Sequence, residues 1–126
     1  VRLLDYEIEL GLVMGAPVVF PHHTSWQVDD IDQVGRGAMD LLEGHPERHV
    51  WGLGRHFAGS NFFWYLKDPA GTFCEYYSDM DYIADYSTWT PTNYRMEDSL
   101  ANWGPAVPSH FVHNYEASGE FVAPRD

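Results

Sequence analysis

The sequence has a single cysteine, Cys74, among 126 residues, which excludes an internal disulfide and any cysteine-rich zinc site. A lone cysteine is typical of a reducing compartment, so we expect a cytoplasmic protein. No apolar run is long enough to span a membrane, and no secretory signal pattern is present. We therefore expect no membrane insertion.

Basic residues are also scarce. Only 7 Lys and Arg stand against 19 Asp and Glu, which gives a formal net charge of −12. This balance counts against nucleic acids and anionic membrane surfaces as partners. By contrast, 44% of the residues are hydrophobic and 16% are aromatic, which is enough for a folded core. The length fits one domain.

Hydrophobic periodicity predicts an α+β unit in the order strand, helix, strand, strand, strand. The four predicted strands are residues 22–28, 49–56, 62–66 and 72–78. The helix between the first two strands begins after Asp29 and Asp30, which suit a helix N-terminus. It ends near Gly44 and Pro46.

The chain divides into three segments. Residues 1–20 alternate acidic and apolar side chains and predict an N-terminal strand segment. Residues 21–83 contain the predicted strand and helix unit, and residues 84–126 form an irregular tail. The tail carries large aromatic side chains that would be unfavourable in water: Trp89, Trp103, Phe111 and Phe121. We therefore expect it to wrap over a surface of the unit.

His23 and Glu75 have metal-binding chemistry. His23 lies on the first predicted strand and Glu75 on the last, so a curved sheet could bring them together on one concave face. Imidazole and carboxylate together suit divalent iron, manganese, nickel or zinc, although two donors alone bind weakly. Spacing alone favours the ordinary alternative, a core or edge histidine and a solvated carboxylate.

His56 and Tyr65 form a second candidate pair on neighbouring strands joined by residues 57–61. Such a pair could orient a bound oxygen or a phenolate substrate. The structural alternative is that Tyr65 packs in the sheet and His56 ends a strand. Cys74 is predicted to be a small core residue. The remaining histidines have no distinctive spacing: His22, His45, His49, His110 and His113.

Two segments match a known family. HHTSWQVDDID at residues 22–32 and GLGRHFAGSNFFWYLKDPAGTFCEYYSDMDY at residues 52–82 resemble the C-terminal module of type I extradiol ring-cleaving dioxygenases. These enzymes belong to the vicinal oxygen chelate superfamily, with glyoxalase I and bleomycin-resistance proteins. NWGPAVPSHF at residues 102–111 is similar to the closing segment of the family. The resemblance implies a βαβββ module with a curved mixed sheet.

The resemblance also implies a site. The family binds divalent iron, sometimes manganese, through two histidines and one glutamate, and His23 and Glu75 match the second histidine and the glutamate. His56 matches a histidine that hydrogen-bonds the bound oxygen or substrate, and Tyr65 a tyrosine that hydrogen-bonds the catecholate. We place two further residues at the substrate, Asn61 and Trp26.

The sequence departs from the family in its first segment. Residues 1–20 contain no histidine, so the first metal histidine and an acid–base histidine of the family have no counterpart. Residues 4–15 resemble instead a metal-binding strand of the fumarylacetoacetate hydrolase family, whose Glu-x-Glu pair matches Glu7 and Glu9. This indicates a fragment or a fusion of unlike pieces.

The leading hypothesis is an extradiol dioxygenase-like enzyme that opens a catechol-type ring with O₂ at divalent iron. One alternative is a glyoxalase-type lyase or isomerase with nickel, cobalt or zinc. Its site would be shared by two paired modules. Another is a non-catalytic binding module of the same superfamily. Because one module leaves a curved face and sheet edges uncovered, we expect a homo-oligomer or a second module.

Overall fold

The computed structural model describes residues 22–90, 92–95, 98 and 100–111. The predicted strand in residues 1–20, the Glu7 and Glu9 pair, His113 and Phe121 lie outside the described residues. Within the described part of the chain, no helix has the length and apolar composition needed to cross a membrane.

The observed elements confirm the predicted βαβββ order. They are β1 (Thr24–Gln27), α1 (Ile31–Leu42), β2 (His49–Arg55), β3 (Phe62–Lys67) and β4 (Phe73–Ser78). A short 3₁₀ helix, Pro46–Arg48, precedes β2. Each of the four strands predicted within residues 22–78 overlaps an observed one, because alternation and turn residues mark strands locally.

The four strands form one mixed sheet in the order β1-β4-β3-β2. β1 runs parallel to β4, whereas the β4–β3 and β3–β2 pairs are antiparallel. The register places Ser25, Glu75, Tyr65 and Trp51 opposite one another in a row across all four strands. Residues opposite each other in a sheet share a face, so the fold itself gathers these four side chains.

Helix α1 begins and ends where the sequence predicts. The Asp30 carboxylate accepts a hydrogen bond from the Gln33 backbone N–H at 2.8 Å, which caps the free amides of the first turn. After Leu42 the chain turns at Gly44, whose φ of 71° is one that glycine adopts without strain. The buried side of α1 contains Val34 and Ala38.

The sheet has two different faces. On the helix side, Ala38 packs with Leu66 and Cys74, which confirms Cys74 as a small core residue. The opposite face carries an aromatic cluster of Val50, Trp51, Phe63, Tyr65 and Phe111. On β4, Glu75 lies on that aromatic face because it alternates with Cys74.

Part of the predicted tail covers the aromatic face. Phe111 is buried in the cluster, and Leu100 and Val107 pack against it. The Arg55 N–H donates to the Trp103 carbonyl at 2.9 Å, so the segment also pairs with the edge of β2. Trp89 and Trp103 stay 48% and 46% exposed, so these two tail side chains are only partly covered. Single aromatic side chains that are partly exposed are frequent on protein surfaces.

The packing of α1 predicts that replacing its two glycines by alanine changes the free energy of unfolding by different amounts. A methyl group at Gly35 meets no atom within 4 Å, so Gly35→Ala should raise the free energy of unfolding by about 0.5 to 1 kcal/mol. At Gly37 the added Cβ would approach the Tyr76 ring to 3.2 Å, and the gain should be smaller. Urea denaturation of both variants measures the difference. Equal gains would contradict the observed contact between α1 and β4.

Cys74 should react slowly with alkylating reagents. Burial raises the pKa of the Cys74 thiol to about 11, and the negative charge of Asp68 acts in the same direction. Because the thiolate is the reactive form, iodoacetamide at about pH 8 should modify the folded protein at least about 100-fold more slowly than the chain in urea. The rate should increase with pH until the thiol ionises. Mass spectrometry measures both rates, and equal rates would show that Cys74 is not buried.

Candidate functional site

The carboxylate of Glu75 is the centre of the candidate site. It is 1% exposed, in the middle of β4. Its Oε2 accepts a hydrogen bond from the Ser25 hydroxyl at 2.7 Å and lies 3.4 Å from Nε2 of His23. Its Oε1 accepts from the Asn61 amide at 3.4 Å and lies 3.6 Å from Nε2 of His56. The structure therefore brings His23, His56 and Glu75 together.

These neighbours keep the Glu75 carboxylate ionised. Burial alone would raise the pKa of Glu75, because a charged group loses hydration in the interior. Hydrogen bonds from His23, His56 and Ser25, together with the positive charge that His23 carries when protonated, outweigh burial and lower the pKa to about 2. The face thus holds a buried negative charge, which attracts a cation.

His23 and Glu75 have a separation that fits two ligands of one metal ion. Donors that each lie about 2.1 Å from a divalent ion stand about 3.0 to 3.4 Å apart at octahedral or tetrahedral angles. Nε2 of His23 and Oε2 of Glu75 are 3.4 Å apart. Among the described residues, however, no group of three or more His, Cys, Asp or Glu side chains is arranged to hold a metal ion. The described part of the chain thus presents two suitably spaced donors, His23 and Glu75.

His56 and Tyr65 form the second part of the site. His56 follows β2, and its Nδ1 donates a hydrogen bond to the Leu100 carbonyl, since a carbonyl can only accept. Its Nε2 consequently faces the site, 3.0 Å from the Tyr65 hydroxyl. The buried Tyr65 ring lies parallel to the Trp51 ring, with centroids 5.7 Å apart. Aromatic side chains line this face and shield it from water, so the pair can exchange a proton there with a bound group.

The two residues expected at the substrate lie in different surroundings. Asn61 is fully buried and donates to Glu75, so the structure places it behind the carboxylate. Its Oδ1 has no hydrogen-bond partner among the described residues. Trp26 is 43% exposed, and strand alternation points it away from the face that Ser25 shares with Glu75. The structure does not bring Trp26 into this cluster.

Sequence reasoning missed Ser25 and His22. Ser25 lies two residues after His23, so the two-residue period of β1 places both on one face, and this signal was available. His22 contacts His23 through their Nδ1 atoms at 2.8 Å. No pattern indicated that contact, nor the backbone carbonyls that hold the histidine rings.

Comparison with known proteins identifies a relative in sequence. No protein-family model matches the sequence. Metapyrocatechase 2 of Cupriavidus necator is 47% identical over 97 residues, which cover 76% of this chain and 30% of that protein. The chain thus spans about a third of the length of this relative.

Solved structures show the same fold. Homoprotocatechuate 2,3-dioxygenase of Arthrobacter globiformis matches with a TM-score of 0.61 and 26% identity, over 75% of this chain and 31% of that one. The Mn(II)-bound glyoxalase of Novosphingobium aromaticivorans matches with a TM-score of 0.61 and 26% identity, over 74% and 31%. Extradiol dioxygenases are metal-dependent enzymes. The chain is thus similar in sequence to part of metapyrocatechase 2 and shares its fold with dioxygenase and glyoxalase structures, as the resemblance to one module of the vicinal oxygen chelate superfamily predicts.

Proposed function

We propose that this chain supplies one module of an enzyme that cleaves a catechol-type aromatic ring with O₂ at divalent iron. The observation that carries the proposal is the convergence of His23, Glu75, His56 and Tyr65 on one buried face. The relatives support the reaction class, since metapyrocatechase 2 and homoprotocatechuate 2,3-dioxygenase are extradiol ring-cleaving dioxygenases.

His23 and Glu75 are the proposed metal ligands. Ferrous iron is the proposed ion, with manganese, nickel or zinc as alternatives that the same donors accept. When bound, the ion would supply Lewis acidity toward the catechol hydroxyl groups and one-electron chemistry toward O₂. Ser25 and Asn61 each hold one carboxylate oxygen of Glu75, which fixes its orientation.

His56 and Tyr65 are the proposed groups for substrate orientation and proton transfer. Nε2 of His56 and the Tyr65 hydroxyl are 3.0 Å apart, so a proton taken from a catechol hydroxyl can be shared between them. Histidine can accept or release that proton near neutral pH. Trp51 and Phe63 line the same face and exclude water, which strengthens each polar interaction there. This face suits a flat aromatic substrate with adjacent hydroxyl groups.

We propose that the third metal ligand comes from a second module, on another copy of this chain or elsewhere in a longer protein. Two protein donors bind a divalent ion weakly, and the described residues present only His23 and Glu75 in suitable positions. A second module would also cover the curved face. Light scattering with and without metal distinguishes a strict monomer from a pair.

The glyoxalase-type alternative rests on the match to the Mn(II)-bound glyoxalase, whose TM-score equals that of the Arthrobacter dioxygenase. The His56 and Tyr65 pair favours ring cleavage, because the dioxygenase branch requires both groups together with Glu75. A non-catalytic module would bind its ligand without either residue. Activity and binding assays on the same variants separate these alternatives.

We further propose a cytoplasmic location. Cys74, the one cysteine of the sequence, is a free and buried thiol, which fits a reducing compartment. The net charge of −12 makes a small neutral or weakly charged molecule a better partner than a polyanion.

The proposal predicts that metal binding and turnover depend on different residues. After anaerobic iron loading, the protein should consume O₂ with catechol. His23→Ala and Glu75→Gln should lower iron affinity by more than the 10- to 100-fold that loss of an outer partner causes, since each removes a direct ligand. Tyr65→Phe should retain iron but lose about 10²- to 10⁴-fold in O₂ uptake. Elemental analysis and an oxygen electrode measure the two quantities.

His45→Ala is the matched control, because His45 is an exposed histidine paired with Glu47 on the surface. It should leave iron content and O₂ uptake unchanged. Full iron content in both His23→Ala and Glu75→Gln would refute the ligand assignment. Iron binding without O₂ uptake from any catechol would favour the non-catalytic module.

A further inference from the structure

His22 joins the candidate metal ligand, His23, to the covering segment, the stretch of residues 100–111 that packs on the aromatic face. Its Nε2 lies 2.7 Å from the Phe111 carbonyl oxygen, and its Nδ1 lies 2.8 Å from Nδ1 of His23. The His22 ring is held between aromatic neighbours, with centroids 5.5 Å from Phe73 and 4.8 Å from Phe111. Both ring nitrogens of His22 are therefore engaged, and its orientation is fixed.

The chemistry of the end groups gives each hydrogen bond a direction. A backbone carbonyl only accepts, so Nε2 of His22 carries a proton and donates it to Phe111. A neutral imidazole carries one N–H, which leaves Nδ1 of His22 as an acceptor. The His22 ring packs between the Phe73 and Phe111 rings, and such an apolar setting favours the uncharged imidazole. Nδ1 of His23 must then donate to His22.

We propose that His22 is a positioning residue that holds a proton on Nδ1 of His23 and so presents Nε2 of His23 to Glu75 and to the metal. The inference rests on the proposed function in one respect, that His23 is a metal ligand. The relay runs from the Phe111 carbonyl through His22 to His23, and it ends at the Nε2 that lies 3.4 Å from Oε2 of Glu75.

The relay limits what can occupy Nε2 of His23. With Nδ1 committed to His22, Nε2 is the nitrogen that can exchange its occupant. In the metal-free protein it can hold a proton that Glu75 accepts, and a divalent ion can replace that proton. The opposite tautomer would leave Nδ1 without a proton to donate, and the contact with His22 would be lost. Metal-ligating histidines commonly depend on such a partner at the second nitrogen.

Nitrogen NMR of the histidine rings tests the relay directly. In the full chain, ring ¹⁵N signals report which nitrogen of His23 carries the proton, and His23→Ala assigns those signals. We expect a proton on Nδ1 of His23, protected from solvent exchange, in the metal-free protein and after addition of diamagnetic Zn²⁺. A neutral His23 with its proton on Nε2 would overturn the proposal.

Three variants at position 22 separate positioning from packing. His22→Ala removes the acceptor, so the protected Nδ1–H signal should disappear and the Zn²⁺ affinity should fall about 10- to 100-fold. In His22→Asn the amide oxygen stands near the place of Nδ1, and it should restore the signal and most of the affinity. His22→Gln extends its amide toward Phe111 instead and should behave as His22→Ala does. A purely structural role would make the Asn and Gln variants equivalent.

The two readouts distinguish this inference from the proposed function. If the wild-type chain binds no Zn²⁺ at His23 and Glu75, a metal site built from copies of this chain is refuted, while the Nδ1–H signal of His23 still reports on the relay. If Zn²⁺ binds normally in all three His22 variants and the Nδ1–H signal persists, the relay is refuted and the metal site stands.

Discussion

An ionised carboxylate in the interior is the constraint on which this module depends. Glu75 is almost completely buried, and an unpaired buried charge is strongly unfavourable. Its compensation comes from two directions: β1 brings His23 and Ser25, and the β2–β3 connection brings His56 and Asn61. Both the parallel β1–β4 pairing and the hairpin must form before the charge is satisfied. The same arrangement is what makes the face attractive to a divalent ion.

The histidines on either side of Glu75 are held in the same way. Nδ1 of each ring is tied, for His56 to the Leu100 carbonyl and for His23 to His22, while Nε2 of each faces the carboxylate. The covering segment, residues 100–111, supplies the anchoring carbonyls. It also accepts a hydrogen bond at Pro105 from the Trp51 indole at 2.8 Å. A stretch with little regular structure thus sets the direction of the rings in the site.

The order of elements could be predicted from the sequence because its signals are local. Alternation marked the strands, and Asp30 marked the start of the helix. Asp68 accepts from the Ala70 and Thr72 amides in the turn between β3 and β4, as the turn residues indicated. The meeting of His23 with Glu75 was harder, because it depends on which strands pair, and the family resemblance rather than spacing predicted it.

The parts of the site that could not be predicted are those that do not depend on the type of residue. Any residue type has a carbonyl, so nothing at Leu100 or Phe111 indicates that its oxygen orients a histidine. Trp26 was assigned to the substrate on its aromatic character, although it is out of phase with His23 along β1 and points the other way. Asn61 was expected to meet the substrate, and its burial behind Glu75 depends on the loop that holds it.

The parallel pairing of β1 with β4 also bears on the order of folding. Ser25 and Glu75 are 50 positions apart, whereas the antiparallel β2–β3 and β3–β4 hairpins join neighbouring stretches of chain. Closing the longer loop carries the larger entropic penalty, so the hairpins can assemble first and β1 docks afterwards. Until that late step the Glu75 carboxylate lacks its partners from the β1 side, so full compensation of the buried charge reports that folding is complete.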